Sequence, residues 1–150
     1  MLSLIIPAIL ALASSVSAIP VGSTSLPGTQ ELFVYEGGTQ IGCVNGYGNF
    51  TTDLIWCFPF RAFTSTDGFA YLSGYAECST VDELVCYDGT AAVDSQFYVS
   101  GGDLAIGDTS TTTSFSVNSI PVSTDNVGVP LLVGSAGSIQ VVLQVKAVQG

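Results

Sequence analysis

The chain has 150 residues, of which twelve are acidic, two are basic and none is histidine, so its net charge is −10 and its isoelectric point is near 4.1. This balance argues against nucleic-acid binding, because affinity for nucleic acid comes mainly from Lys and Arg neutralising phosphates. The lack of histidine excludes Ser-His-Asp and Cys-His nucleophile systems and a histidine general base.

The N-terminal segment is apolar from Leu4 to Ala13 and continues with small residues at Val16 and Ala18. This pattern predicts a secretory signal peptide over residues 1–18. A short membrane anchor is the alternative, but the apolar run is well below the ~20 residues that a span needs. We therefore expect a secreted, extracellular or cell-wall protein with no membrane span in the mature chain.

Residues 19–30 are rich in Pro, Gly, Ser and Thr, and predict an extended lead-in to a single β-domain over residues 31–150. Short aromatic and β-branched runs in the domain alternate with turn signals, and Asn45-Gly46 is the strongest two-residue hairpin signal. The spacing predicts an all-β fold, an antiparallel β-sandwich or barrel. The expected strands are 31–35, 39–44, 47–51, 55–58, 60–64, 69–73, 95–99, 103–106, 114–118 and 139–146, with short arms at 75–79 and 83–87.

Four cysteines, Cys43, Cys57, Cys78 and Cys86, lie in the first half of the predicted domain. In a secreted chain they predict two disulfides, which can connect in three ways. We expect the sequential pairs, Cys43 with Cys57 and Cys78 with Cys86, since each closes a short hairpin-like loop. A zinc site of four thiolates is the alternative, but the Cys-x-x-Cys knuckles of zinc ribbons are missing. No metal site is predicted.

Aromatic residues crowd the cysteine region, as they do in sugar-binding β-domains that present flat rings for stacking. The competing interpretation is core packing, which we expect for Trp56, Phe58, Phe60 and Phe63. Tyr47 lies in a glycine-flanked turn and is the ring most expected to be exposed. The aromatic residues of this region are Tyr47, Phe50, Trp56, Phe58, Phe60, Tyr71, Tyr75 and Tyr87.

The turn around Tyr47 is therefore the predicted carbohydrate site, with Asn45 supplying an amide for sugar hydroxyls. The same turn contains an N-glycosylation sequon, Asn49-Phe50-Thr51, and a glycan on Asn49 would lie near Tyr47. Carboxylate pairs such as Asp82 and Glu83 are candidates for glycosidase chemistry. Twelve carboxylates on a small domain bring some pairs together in any case, so we expect no catalytic site, no cofactor and no enzyme.

The order of these motifs resembles the small β-domain that follows the catalytic domain in fungal acid ribonucleases of the T-two family. The resemblance covers roughly residues 31–122, and the histidine-dependent catalytic domain of those enzymes has no counterpart here. It implies the fold, the two local disulfides, an extracellular fungal setting and a wall- or glycan-facing role. The matching residues are Leu32-Phe33-Val34-Tyr35, Ile41-Gly42-Cys43-Val44, Asn49-Phe50-Thr51-Thr52, Cys57, Phe60-Arg61-Ala62-Phe63-Thr64, Cys78, Val85-Cys86, Thr113-Ser114-Phe115 and Ile120-Pro121-Val122.

Two functions follow from the sequence. The first is a non-catalytic secreted protein that binds cell-wall polysaccharide through exposed aromatic rings. The second is a secreted structural or host-interaction protein with an extracellular protein partner. Three or more coplanar exposed rings on one face would favour the sugar ligand, and buried rings with an apolar patch elsewhere would favour the protein partner.

Overall fold

The computed structural model describes residues 25–26, 28–88, 95–107, 113–122 and 126–148. The predicted signal peptide at 1–18 lies outside these residues, as does the predicted lead-in up to residue 24. Strands make up 52% of the protein and helix 3%, so the predicted all-β class is confirmed. None of the described residues forms a helix long and apolar enough to cross a membrane.

The described residues form thirteen strands and one 3-10 turn. The two longest strands lie near the two ends of the chain, and most of the others are two to five residues long. The strands are β1 Gly28–Glu36, β2 Thr39–Val44, β3 Asn49–Thr51, β4 Phe60–Thr64, β5 Ala70–Ser73, β6 Ser79–Thr80, β7 Leu84–Val85, β8 Phe97–Ser100, β9 Asp103–Ile106, β10 Phe115–Val117, β11 Val129–Pro130, β12 Leu132–Val133 and β13 Ile139–Ala147, with the 3-10 turn at Leu54–Trp56.

Six of these strands close into an antiparallel barrel, in the order β1, β4, β5, β8, β9, β13 and back to β1. Closure depends on β1, whose residues 30–35 pair with β13 while residues 28–30 pair with β4. Residues 33–36 of β1 pair with β2, which continues the sheet outside the barrel through β3 and β11. The structure thus decides between the two predicted architectures in favour of a barrel.

The barrel core follows from the alternation of side chains along each strand. In β1, Leu32 and Val34 are buried and alternate with partly buried neighbours, and in β13, Val141 and Leu143 are buried. Each fully buried side chain of this size contributes about 1.5–3 kcal/mol through apolar burial. The other large buried side chains are Leu26, Phe50, Phe60, Leu72, Leu84, Phe97, Tyr98, Leu104, Ile106, Phe115 and Leu131.

The first strand begins earlier than the predicted domain start at residue 31, because Gly28–Gln30 pair with Phe60–Ala62 of β4. Leu26 is fully buried although it lies in the predicted lead-in. Part of the predicted lead-in therefore belongs to the barrel. Its Pro, Gly, Ser and Thr content gave no strand signal in the sequence.

Two-residue hairpins form at Gly37-Gly38 and Gly101-Gly102, where both glycines have positive φ, as the primed turns require. The prediction of a two-residue hairpin at Asn45-Gly46 is wrong. No described residue other than glycine has positive φ, so Asn45 cannot occupy a type I′ turn. Gly48 supplies the positive φ instead, at +93°, and the connection between β2 and β3 spans residues 45–48.

The predicted strand over residues 55–58 is also wrong. Residues Leu54–Trp56 form a 3-10 turn, which begins at Asp53, because the Asp53 carboxylate accepts a hydrogen bond from the Ile55 N–H at 3.2 Å. A capping side chain of this kind competes with strand pairing for the backbone donors. Trp56 consequently points outward and is 39% exposed, which corrects its predicted burial.

Phe63 was also expected in the core and is 56% exposed. It lies on β4, where Phe60 faces the core and is fully buried. Residues three apart on a strand face opposite sides of the sheet, so Phe60 and Phe63 cannot both be buried there.

The predicted disulfides are both present, Cys43 with Cys57 and Cys78 with Cys86. The first ties β2 to the segment after the 3-10 turn. The second joins the segments that flank the β6–β7 hairpin. Two disulfides are compatible with an extracellular protein.

Candidate ligand-binding groove

The turn that carries Tyr47 comprises residues 45–48, the four residues between β2 and β3. The Asn45 N–H donates to the Asn49 carbonyl at 2.9 Å, and the Gly48 N–H donates to the Asn45 carbonyl at 3.0 Å. This is the bond pattern of a β-turn followed by a left-handed glycine, a common hairpin connection. It holds Tyr47 at the tip of the loop, where the residue is 39% exposed; Tyr47 was the ring most expected to be exposed, but Tyr75 at 58% and Tyr87 at 55% are more exposed.

The Asn45 side chain holds this turn together from inside. Its amide donates to the backbone carbonyls of Asn126 and Val127, at 2.9 and 3.0 Å. Its carbonyl oxygen accepts from the N–H groups of Tyr47 and Asn49. The residue is only 3% exposed. Asn45 therefore fixes the turn instead of presenting its amide to sugar hydroxyls, and it plays no direct part in the site described below.

Tyr75 and Tyr87 flank Tyr47 and belong to segments joined to the turn by backbone hydrogen bonds. The Tyr75 N–H donates to the Gly46 carbonyl at 2.9 Å, and the Cys86 N–H donates to the Tyr47 carbonyl at 2.9 Å. The close approach needs glycine, since a Cβ on Gly46 would lie 2.7 Å from the Tyr75 ring. The Cys78–Cys86 bond anchors the segment that ends in Tyr87.

The three tyrosine rings pack edge to face. The centroid of Tyr47 lies 4.8 Å from that of Tyr75 and 5.8 Å from that of Tyr87, with both pairs of planes at 74°. Tyr75 in turn packs on Phe58, and Phe58 packs on the buried Phe60. A continuous row of packed aromatic rings thus runs from Tyr47 at the surface to Phe60 in the core.

A groove of about 320 Å³ opens beside this row, lined by Tyr47, Asn49, Tyr87 and Val127. We call it the tyrosine groove. All four lining residues are uncharged, and the Asn49 amide donates to the Val127 carbonyl across the groove wall at 2.9 Å. The hydroxyl groups of Tyr47 and Tyr87 bond to no other residue in the part of the chain that the structure describes.

Val127 is the lining residue that the sequence did not indicate. It lies 78 residues after Asn49 and reaches the groove because β11 pairs with β3, with Val129 opposite Phe50 and Pro130 opposite Asn49. No local pattern around Val127 signals this pairing. The carbohydrate prediction also did not single out Tyr75 and Tyr87, although both were noted among the aromatic residues.

The rings do not form a flat platform. Tyr47 stands at a steep angle to both neighbours, so no three of these rings are coplanar. The opposite arrangement, in which all rings are buried, is also not observed, because Tyr75 and Tyr87 are more than half exposed. The observed arrangement is a groove with tyrosine walls. It matches neither the flat exposed platform nor the fully buried rings that the sequence analysis had considered.

A second exposed feature is the 3-10 turn at Leu54–Trp56, which we call the apolar turn. Ile55 is 77% exposed, and Leu54 and Trp56 are also exposed. The Asp53 cap and the Cys43–Cys57 bond hold this turn on both sides. Residues 120–122 lie beside it, since the Thr52 hydroxyl donates to the Pro121 carbonyl, and Ile120 and Val122 are exposed there.

Groups of three or more residues of the metal-ligating types Cys, Asp and Glu do not come together anywhere among the described residues. No protein-family model, no curated protein and no solved structure matches this chain.

Proposed function

We propose that the protein is a non-catalytic, secreted carbohydrate-binding protein, and that the tyrosine groove binds a single neutral polysaccharide chain. The observation that carries the proposal is the groove itself, with two packed, exposed tyrosines facing an uncharged cavity. Sugar rings present apolar C–H faces to aromatic rings and hydroxyl groups to polar side chains, and the groove offers both kinds of partner. The resemblance to the fungal ribonuclease β-domain supports the same function and a cell-wall location.

The shape of the groove favours a soluble or protruding chain over a crystalline polymer face. A crystalline surface needs several coplanar rings, whereas rings at 74° enclose one chain from the side. The volume of about 320 Å³ lies at the lower end of the range for small-molecule pockets, which is sufficient for one or two sugar rings. The uncharged lining favours a neutral glucan or chitin-type chain over an acidic polysaccharide.

Binding is tested on the protein without a glycan, made in an oxidising bacterial host, by titration with chitin and β-glucan oligosaccharides and by pull-down on both polymers. We expect Tyr47→Ala to weaken oligosaccharide binding by at least about tenfold, which corresponds to about 1.4 kcal/mol. Tyr35→Ala is the matched control, because Tyr35 is a partly exposed tyrosine that lines a different groove. If neither sugar binds the wild-type protein, the proposed function is wrong.

The apolar turn supports a second candidate function, an interaction with an extracellular protein. Three consecutive large apolar side chains held in a rigid, exposed turn form the kind of anchor that protein interfaces bury. The chain carries a charge of −10, and Asp53 lies next to the turn, so charge complementarity favours a partner with a basic rim.

The double variant Ile55→Ser/Trp56→Ser separates the two functions. A protein-binding role predicts that these substitutions abolish a cross-link to an extracellular protein in the native secretome, while oligosaccharide binding is unchanged. Tyr47→Ala should weaken oligosaccharide binding and leave the cross-link unchanged. A cross-link that survives the double variant would place the protein partner elsewhere.

A further inference from the structure

We infer that glycosylation of Asn49 regulates the tyrosine groove: in secreted molecules that carry a glycan on Asn49, the first sugar of that glycan occupies the groove. The inference rests on the proposed function, since it assigns a regulator to the same groove. Asn49 is both the acceptor of the sequon Asn49-Phe50-Thr51 and a lining residue of the groove. The modification therefore starts inside the binding site.

The Asn49 side-chain amide, where a glycan attaches, forms part of the groove wall. The amide nitrogen is the atom that is glycosylated, and it lies 2.9 Å from the Val127 carbonyl, which belongs to another lining residue. An N-glycosidic amide keeps one N–H, so the bond to Val127 can persist after modification. The attached sugar then shares the groove with the Tyr47 and Tyr87 rings and the Val127 side chain, which are its apolar partners there.

The groove is prepared for such a ligand before the glycan arrives. Tyr47 packs edge to face on Tyr75 and Tyr87. The strand β3, which begins at Asn49, pairs with β2 on one edge and with β11 on the other. A sugar tethered to Asn49 also has a very high effective concentration at the groove, because its attachment removes the entropy cost of a bimolecular encounter. A free oligosaccharide with the same contacts is at a disadvantage against it.

The consequence is regulation by glycosylation. The protein with a glycan on Asn49 has a filled groove and binds external sugar weakly, and the protein without it has an open groove. The uncharged lining suits the neutral, acetamido-bearing sugar that begins an N-linked glycan. The same contacts add stability to the turn that contains Asn49.

The experiment compares three forms of the full chain: secreted from a eukaryotic host, trimmed with endoglycosidase H to one N-acetylglucosamine, and unglycosylated from a bacterial host. In the trimmed form we expect nuclear Overhauser contacts between the sugar protons and the Tyr47 and Tyr87 rings. We also expect the trimmed form to bind chitotriose with a dissociation constant about tenfold higher than that of the unglycosylated form. Trimming should not restore binding, because the first sugar remains.

Two variants make the test specific. Thr51→Ser keeps the sequon and should behave as wild type, whereas Thr51→Val removes the sequon without changing a lining residue of the groove and should bind chitotriose, when secreted from the same host, as the bacterial protein does. The inference is overturned if Asn49 carries no glycan in the secreted protein, or if the attached sugar shows no contact with either ring. If the attached sugar contacts the rings but the unglycosylated form does not bind chitotriose, the inference about the attached sugar is supported and only the proposed function is contradicted.

Discussion

Asn45 shows how a single buried side chain can position a surface loop. It satisfies two backbone donors of its own turn and two backbone carbonyls at residues 126 and 127. We predict that Asn45→Ala lowers the free energy of unfolding by about 2–3 kcal/mol, because the substitution leaves several buried polar groups without partners. Chemical denaturation monitored by fluorescence measures the change.

Two further variants make the Asn45 prediction specific. Asn45→Asp keeps an acceptor for the Tyr47 and Asn49 N–H groups but places a buried carboxylate against two backbone carbonyls, so at neutral pH it should cost at least as much as Asn45→Ala. Asn118→Ala, at an exposed position, should change stability little. Equal stability of Asn45→Ala and Asn118→Ala would contradict the role given to Asn45.

Gly48 and Gly38 both have positive φ, but their surroundings differ. An added Cβ at Gly48 would lie 2.7 Å from the Leu84 carbonyl, whereas an added Cβ at Gly38 meets nothing within 4 Å. We predict a loss of about 1–2 kcal/mol for Gly38→Ala, from backbone strain alone. Gly48→Ala should cost about 1–3 kcal/mol more, from the steric clash. Thermal unfolding of the two variants measures the difference, and similar melting temperatures would show that the loop relaxes.

At the level of secondary structure, β1 and β13 organise the barrel. Each strand has nine residues, and their six paired positions join the N-terminal and C-terminal parts of the described chain. The remaining strands are short because tight turns interrupt them. Such a set of short strands exposes few edges once the sheet closes on itself.

The two disulfides stabilise segments that have little regular structure. Cys43–Cys57 spans the 3-10 turn, and Cys78–Cys86 spans the two-residue strands β6 and β7. We predict that replacing either pair by alanine lowers the free energy of unfolding by about 2–4 kcal/mol, because the open loops gain entropy in the unfolded chain. Urea denaturation of the two double variants measures this.

The two double variants should differ in ligand binding. Loss of Cys78–Cys86 frees the segment whose Cys86 N–H bonds to the Tyr47 carbonyl and which continues to Tyr87. Oligosaccharide affinity should therefore fall more in the Cys78→Ala/Cys86→Ala protein than in the Cys43→Ala/Cys57→Ala protein. The reverse order would show that the apolar-turn side controls the groove.

For the whole molecule, the dominant electrostatic property is the charge of −10. Repulsion among the carboxylates opposes the compact state at neutral pH. Burial also raises the pKa of the Asp103 carboxyl above its ordinary value. As the pH falls through this raised pKa, the folded protein takes up a proton before the unfolded chain does, so folding becomes more favourable. Below the unfolded pKa there is no further gain.

We therefore predict that the protein gains stability as the pH falls from about 7.5 to about 4, because carboxyl groups ordinarily titrate near pH 4. Added salt should narrow the difference by screening the repulsion between exposed charges. Asp103→Asn should stabilise the protein at neutral pH and have little effect in acid, and Asp82→Asn, at an exposed position, is the control. Thermal unfolding across the pH range tests the pH dependence, the effect of salt and the effect of Asp103→Asn. A stability maximum at alkaline pH would contradict the predicted pH dependence.

Several features follow from the sequence alone, because they depend on residues close together in the chain. The glycine pairs at 37–38 and 101–102 specify their hairpins through φ, and the alternation in residues 139–145 specifies the buried face of β13. The short spacing within each cysteine pair favours local disulfides. The exposure of Tyr47 follows from its position at the tip of a glycine-bounded loop.

Other features depend on contacts between distant segments, and only the tertiary structure decided them. The alternation of a strand is the same in a sandwich and in a barrel, so closure required the pairing of β1 with both β4 and β13. Asn45 looked like a hairpin residue because its partners at residues 126 and 127 lie about eighty positions away in sequence. The groove likewise needs Val127 beside Asn49, a contact that long-range strand pairing creates and that no local propensity encodes.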